Sequence, residues 1–287
     1  MMERAVQEVP LFGATPTEIQ SLRPMAQTGV KDLGHRLDEV ESVCLFIGHP
    51  RSGHSLVGAM LDAHPDLCIA HELDILAFLR EGWEGPELMW ACMENARRSA
   101  AVCHRWGTYA YHVPGQWQGR QRRLRVVGDK KGGLTSIALQ RHPALLDRLL
   151  ATFDVPIRWI HVVRHPLDNI STIHRKHHTD LQTSAAGFFT VCETVDKLVA
   201  RVGRSSVHRL TQEQLTHQPQ RVLFELAHFL GVEPDPAWIQ ASAGLVWSKP
   251  RRARDQVQWS PGLVKAVAQL STRHDWLRQY QFDLEPG

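Results

Sequence analysis

From Ser42 onward, short apolar runs alternate with amphipathic stretches. Val43, Cys44, Leu45, Phe46 and Ile47 are continuously apolar over a strand's length, as a parallel strand covered on both faces requires. Gly48 and Pro50 stop that run, and Leu56, Val57, Met60 and Leu61 then recur at helical spacing from about His54. The rhythm predicts further strands at 67–70, 125–128, 157–163 and 207–210. It predicts helices at 73–80, from Pro86 to 103, after Pro143, and at 166–176, 184–202, 219–230 and 261–270. Prolines suit the first helical turn, and Gly231 suits a helix stop. Strands alternating with helices, without hairpin turns, predict an α/β fold doubly wound around a mostly parallel sheet. Ligands of such sheets bind beyond the carboxyl ends of the strands.

Two stretches break the rhythm. Residues 1–41 are polar and interrupted by Pro10, Pro16 and Pro24; they read as a loosely structured arm ahead of a single domain, 42–287. Residues 105–125 are aromatic, glycine-rich and basic, with Tyr109, Tyr111, Trp117 and the run from Arg120 to Arg125. They read as an insertion loop over a site, with a solvated surface loop as the competing reading.

The loop after the first strand, Gly48-His49-Pro50-Arg51-Ser52-Gly53-His54-Ser55, fits the phosphate-cradle spacing G-x-x-x-x-G-K-[ST], except that His54 replaces the lysine. It is therefore expected to hold a phosphate, but not the triphosphate of ATP or GTP. Gly53 lets amides turn inward, and the first helical turn offers unpaired N–H groups and a positive dipole end. Ser52 and Ser55 add hydroxyls, and Arg51 adds a planar charged fork. The plainer reading is an ordinary strand–turn–helix with a capping serine. At the end of the fourth strand, Arg164 with Ser171 or Thr172 can face an anion from two sides. Alone that pair reads as helix capping; a partner loop at Arg51 makes it a second grip.

The composition is that of a soluble globular chain: 287 residues, 43% hydrophobic and 22% charged. A net charge of +3 is too mild to imply nucleic acid and suits an anion in a local basic pocket. The 17 histidines show no metal-ligand spacing, and the five cysteines form no C-x-x-C pair. These features, with no apolar run of bilayer length, predict a reduced, cytoplasmic protein that binds no metal and has no membrane span.

Together the clusters resemble sulfotransferases that use 3′-phosphoadenosine 5′-phosphosulfate (PAPS). The stretch GHPRSGHSLVGAMLDAHP resembles that family's first loop, and Arg164 with Thr172 eight positions on resembles its second site. Glu213, Leu215 and Pro219, followed by Phe229-Leu230-Gly231, resemble its tail motif. Within the family, the closest likeness is to tyrosylprotein, Golgi-type and bacterial enzymes. The resemblance implies that Arg51, Ser52, Gly53, His54 and Ser55 hold the sulfate-bearing phosphate. It implies that Arg164 with Ser171 or Thr172 grips the 3′-phosphate, and that Glu72 is the general base. Lys130 of the Asp129-Lys130 pair would steady the transferring group. Ser248 to Val257 resembles a segment that closes over the nucleotide, with a catalytic Ser248 and with Lys249 and Arg252 on the cofactor. The product would be adenosine 3′,5′-bisphosphate (PAP), and the weakly charged sulfuryl group would need no magnesium.

Two departures bear on this. His54 replaces a threonine, and Asp74 and Phe78 replace basic residues that read acidic peptides. A small-molecule or glycan hydroxyl is therefore expected as acceptor ahead of peptide tyrosine. Trp83, Trp90, Tyr109, Tyr111 and Trp117 are candidates for an apolar acceptor pocket, with core roles expected for at least half. Each role has a plainer rival: Glu72 answering a helix dipole, His71 as the base, Lys130 and Lys131 in a solvated turn, Ser248 on a surface loop. Two other functions compete as well. One is a small-molecule P-loop kinase with Asp129 on magnesium; the other is a nucleotide-binding module without turnover.

Overall fold

The computed structural model describes residues 13–103, 110–249 and 251–282. Strands β1 (Ser42–Gly48), β2 (Leu67–Ala70), β3 (Val126–Asp129), β4 (Ile157–Val163) and β5 (Val207–Thr211) form one sheet in the order β2-β3-β1-β4-β5. Every adjacent pair is parallel. The helices are α1 (Pro16–Leu33), α2 (His54–Asp62), α3 (Ile75–Arg80), α4 (Gly85–Ala101), α5 (Gly133–Arg141) and α6 (Ala144–Thr152). They continue with α7 (Pro166–His177), α8 (Leu181–Val202), α9 (Gln212–His217), α10 (Pro219–Leu230), α11 (Pro236–Ala243) and α12 (Pro261–Ser271).

The apolar run of β1 is continuous because the strand has no solvent side. Val43, Leu45 and Ile47 enter one core with α1, α3, α4, α5, α6 and α8, whereas Cys44 and Phe46 enter another with α2, α10 and α11. A third cluster joins α7, α8 and α12 through Phe188, Phe189, Trp259 and Trp276. The sheet is therefore doubly wound, as its sequence pattern predicts. After β1 the chain crosses toward the β2 edge, and after β4 it continues to β5 at the other edge. The loops after β1 and β4 thus flank a topological switch point, the usual crevice for a ligand.

The N-terminal expectation needs correction. Residues 16–33 are not a loose arm but helix α1, whose Ile19, Leu22 and Ala26 are buried in the first core. Thr15 and Glu18 close a capping box, and Pro16 sits at a first-turn position where its missing N–H costs nothing. Pro24 lies inside the helix, and the carbonyl of Pro24 accepts from Thr28 Oγ1 at 3.1 Å. Helices α9 and α11 were not anticipated either.

The 105–125 expectation also changes. Residues 104–109, with Tyr109, fall outside the described residues, but Val113 to Arg125 is strapped to the far end of α2. Trp117 N–H donates to Ala63 O at 3.1 Å, Gly119 N–H to Asp62 Oδ2 at 2.9 Å and Arg122 N–H to Pro65 O at 2.7 Å. The nine residues of α2 put that end roughly 13 Å from the start of the helix, where the glycine-rich loop lies. Trp83 and Trp90 are buried in the core. Among the described residues, no helix is long and apolar enough to cross a membrane.

Candidate active site

In the loop after β1, buried side chains brace the backbone, while Arg51 is exposed and Ser55 meets Lys130. Gly53, at φ +105°, is the N-cap of α2, and no side chain caps that helix. The free N–H groups of the first turn therefore remain available to an anion. Ser136 Oγ accepts the Gly48 N–H at 2.9 Å, and Asn169 Nδ2 donates to Pro50 O at 2.9 Å and Ser52 Oγ at 3.1 Å. His54 is buried, and its Nε2–H donates to the Ile47 carbonyl at 2.9 Å. Burial lowers its pKa to about 4, so the ring is neutral at pH 7. The His54 ring is thus committed to the Ile47 carbonyl, which leaves its amide as the group it could offer a ligand. Arg51 is exposed and left-handed, at φ +68°, with its carbonyl toward Arg164.

A second set of groups arrives from β2 and β3. Lys130 is wholly buried, and its ammonium donates to Glu72 Oε1 at 2.6 Å and to Ser55 Oγ at 3.1 Å. Burial lowers its pKa, and the adjacent Glu72 opposes that. The side chain reaches the site over Gly58 of α2, where a Cβ would stand 2.6 Å from Lys130 Cγ. Lys131 adds a second cation, 3.6 Å from Glu72 Oε2. Glu72 itself holds a left-handed backbone at φ +63°. Neighbouring Asp129 points the other way, accepting from the amides of Leu73, Asp74 and Ile75 at 3.1, 2.9 and 3.0 Å. Burial pushes its carboxyl up to about 7, against the Ile75 amide and Lys131. With both oxygens occupied by amides, Asp129 is poorly placed to hold magnesium, which counts against the kinase alternative.

The third set follows β4. Arg164 Nη1 donates to Thr172 Oγ1 at 3.1 Å and Arg51 O at 3.3 Å, and Nη2 donates to Arg251 O at 2.7 Å. Among the described residues its buried Nε has no hydrogen-bond partner, a donor that a ligand oxygen would satisfy. Ser171, offered as an alternative to Thr172, is corrected: it is fully buried and its Oγ accepts from Trp259 Nε1 at 3.1 Å. One residue on along a helix is a turn of about 100°, so only one of the pair can face Arg164.

The segment from Ser248 is joined to the site only in part. Arg251 touches Arg164 through its carbonyl, and the Arg254 N–H donates to Asp168 Oδ1 at 2.8 Å. Arg252 pairs with Asp255 at 3.0 Å in the open. Ser248 and Lys249 are exposed. Two surface hollows of about 620 and 500 Å³ share His217, Gln218 and Arg221 and contain none of the proposed site residues. Asn169, Ser136 and Lys131 are the partners that sequence reasoning missed. Asn169 lies inside the quoted motif, but its amide could equally have capped a helix.

The uncapped helix start, the buried arginine and the lysine–glutamate pair lie together at the switch point of a parallel α/β sheet, where folds of this class bind ligands. The family model described as the sulfotransferase family matches residues 45–236, and the chain belongs to that family. Among solved structures, the chain is similar to sulfotransferase STF9 from Mycobacterium avium, with 11% identity and a TM-score of 0.53 over 98% of this chain and 90% of that one. It is also similar to the sulfotransferase domain from the curacin biosynthetic pathway, with 17% identity and a TM-score of 0.50 over 86% of this chain and 93% of that one. At these identities the likeness is one of fold. A search of curated proteins finds no match.

Proposed function

We propose that this sulfotransferase moves a sulfuryl group from PAPS to an acceptor hydroxyl, with Glu72 as general base. The observation that carries the reading is the single nitrogen of Lys130, which reaches Glu72 at 2.6 Å and Ser55 of the cradle at 3.1 Å. Base, cation and anion cradle thus meet within one side chain's length.

The residues fit the donor at both of its phosphates. The uncapped start of α2 offers amides to the 5′-phosphosulfate end, with Ser55 and Arg51 beside them. The buried, partnerless Nε of Arg164 offers a charged donor to the 3′-phosphate, with Thr172 beside it. The donor supplies a sulfuryl group on a good leaving group. Glu72 takes the acceptor's hydroxyl proton as that oxygen bonds to sulfur and the sulfur–oxygen bond to the 5′-phosphate breaks. Lys130 and Arg51 offset the charge that develops on the sulfuryl oxygens and the departing phosphate. Ser248, Lys249 and Arg252 join only if their segment folds inward over the bound nucleotide.

The acceptor is a small-molecule or glycan hydroxyl. Position 74 carries an acidic rather than a basic side chain, and Phe78 is fully buried in the core. Glu72→Gln is expected to lower turnover by about 10²–10⁴-fold and to leave PAP affinity within about threefold. Turnover at the parent rate would remove Glu72 from this role, and equal affinity for PAP and AMP by calorimetry would remove the donor.

A further inference from the structure

We propose that Asp129 is a positioning residue for the general base, setting the strained turn that presents Glu72 to Lys130. This rests on the reading of Glu72 as base. The turn after β2 is unusual: Glu72 and Asp74, neither of them glycine, both adopt left-handed backbones at φ +63° and +68°. Such residues persist only where their surroundings over-determine them. Here two buried side chains hold the backbone. Asn95 Oδ1 accepts the His71 N–H at 2.6 Å, and the Asp129 carboxylate accepts the next three amides after Glu72. Asp129 is 1% exposed and lies opposite Ala70 in the β2–β3 register, directly beneath the turn.

The arrangement explains why Asp129, the last residue of β3, and Lys130, just after it, serve one glutamate. Successive strand side chains point to opposite faces. Asp129 therefore reaches the backbone behind Glu72, whereas Lys130 reaches its carboxylate from the side of α2. A neutral amide in place of Asp129 keeps the shape but retains only one acceptor oxygen for three donors. Glu72 then loses its fixed approach to the acceptor, although the cradle and Arg164 are untouched.

The experiment is a double-mutant cycle with Asp129→Asn and Glu72→Gln, reading kcat, the KM for PAPS and the affinity for PAP. Asp129→Asn is expected to lower kcat by about 10²-fold, the scale of a misplaced catalytic group, with KM and PAP affinity within about threefold. In the Glu72→Gln background the same change is expected to cost less than about threefold, because the group it positions is already disabled. Independent, multiplying losses would overturn the proposal, as would an unchanged kcat in Asp129→Asn. Parent turnover in Glu72→Gln alone would instead sink the base assignment. If Asp129→Asn does not fold, hydrogen exchange on the parent protein decides: the Leu73, Asp74 and Ile75 amides should be protected like those of the sheet. Exchange at exposed-loop rates would overturn the contact.

Discussion

The loops after β1 and β4 are the two anion grips of the proposed site, and they are built in opposite ways. The first rests chiefly on backbone amides, with side chains as struts beneath them: His54 to Ile47, Asn169 to Pro50 and Ser52, Ser136 to Gly48. The second offers one charged side chain, Arg164, steered by Thr172 and two carbonyls. A backbone cradle depends on conformation, so it is sensitive to any residue that shifts the chain. A side-chain grip depends on one charge, so it is sensitive to a single deletion. The cradle should therefore set how tightly any nucleotide binds, and the grip which nucleotide is chosen.

The largest break should come from Arg164→Ala. Truncating one partner of a buried, hydrogen-bonded charge pair costs roughly 2–5 kcal/mol, so PAP affinity should fall by at least about 30-fold while AMP affinity changes little. Calorimetry with both nucleotides checks this; equal losses for the two would erase the division of labour.

Acid should test both loops at once, through His54 beside the first and His165 in the second. Burial lowers the pKa of His54 and of His165 to about 4, whereas an unfolded chain protonates histidine near 6.5. Between these values the unfolded state binds more protons, so stability is fully present above about pH 6.5 and lost as pH falls toward 4. Each ring accounts for up to about 3 kcal/mol at 1.36 kcal/mol per pKa unit. Urea midpoints from pH 7 to 4.5 should fall less steeply in His54→Gln and His165→Gln than in the parent; parallel curves would show that neither ring is held neutral.

A smaller effect is expected from Asn169→Ala, which strands the Pro50 carbonyl and the Ser52 hydroxyl. The stability loss should be about 1–3 kcal/mol, with PAP and AMP weakened together, as paired melting and binding curves would reveal. Gly53→Ala should be the mildest. A Cβ there has room, 3.9 Å from Val162 Cγ1, but φ +105° strains any side-chain-bearing residue. The expected cost is about 1–2 kcal/mol, again shared by both nucleotides; selective loss of PAP would contradict it.

Most of the scaffold could be read from apolar periodicity. Residues 157–163 and 219–230 form the strand and helix expected of them, and the loop after Ile47 lies where its glycines suggested. The N-terminal helix was hidden because Pro16 and Pro24 look like breakers, although Thr15 and Glu18 carry the cap that makes Pro16 a starter. The strap from Val113 to Arg125 was misread because its anchors, Asp62, Ala63 and Pro65, lie about fifty residues away in the chain. Side-chain direction was the least legible property. Nothing in the order of residues says that His54 turns toward Ile47 or Ser171 toward Trp259, since both follow from packing between separate elements. The family resemblance pointed to Glu72 and Lys130, which meet at 2.6 Å, but it offered Asp129 only as a neighbour or a magnesium ligand, not as the acceptor of the turn's amides.

An ammonium carries three hydrogens. At Lys130 one goes to Ser55 and one to Glu72, so a single hydrogen is left over for an incoming oxygen. The lysine can greet its substrate without letting go of either neighbour. Arginine would bring a flat fork instead of a tripod and could not divide its attention in the same way.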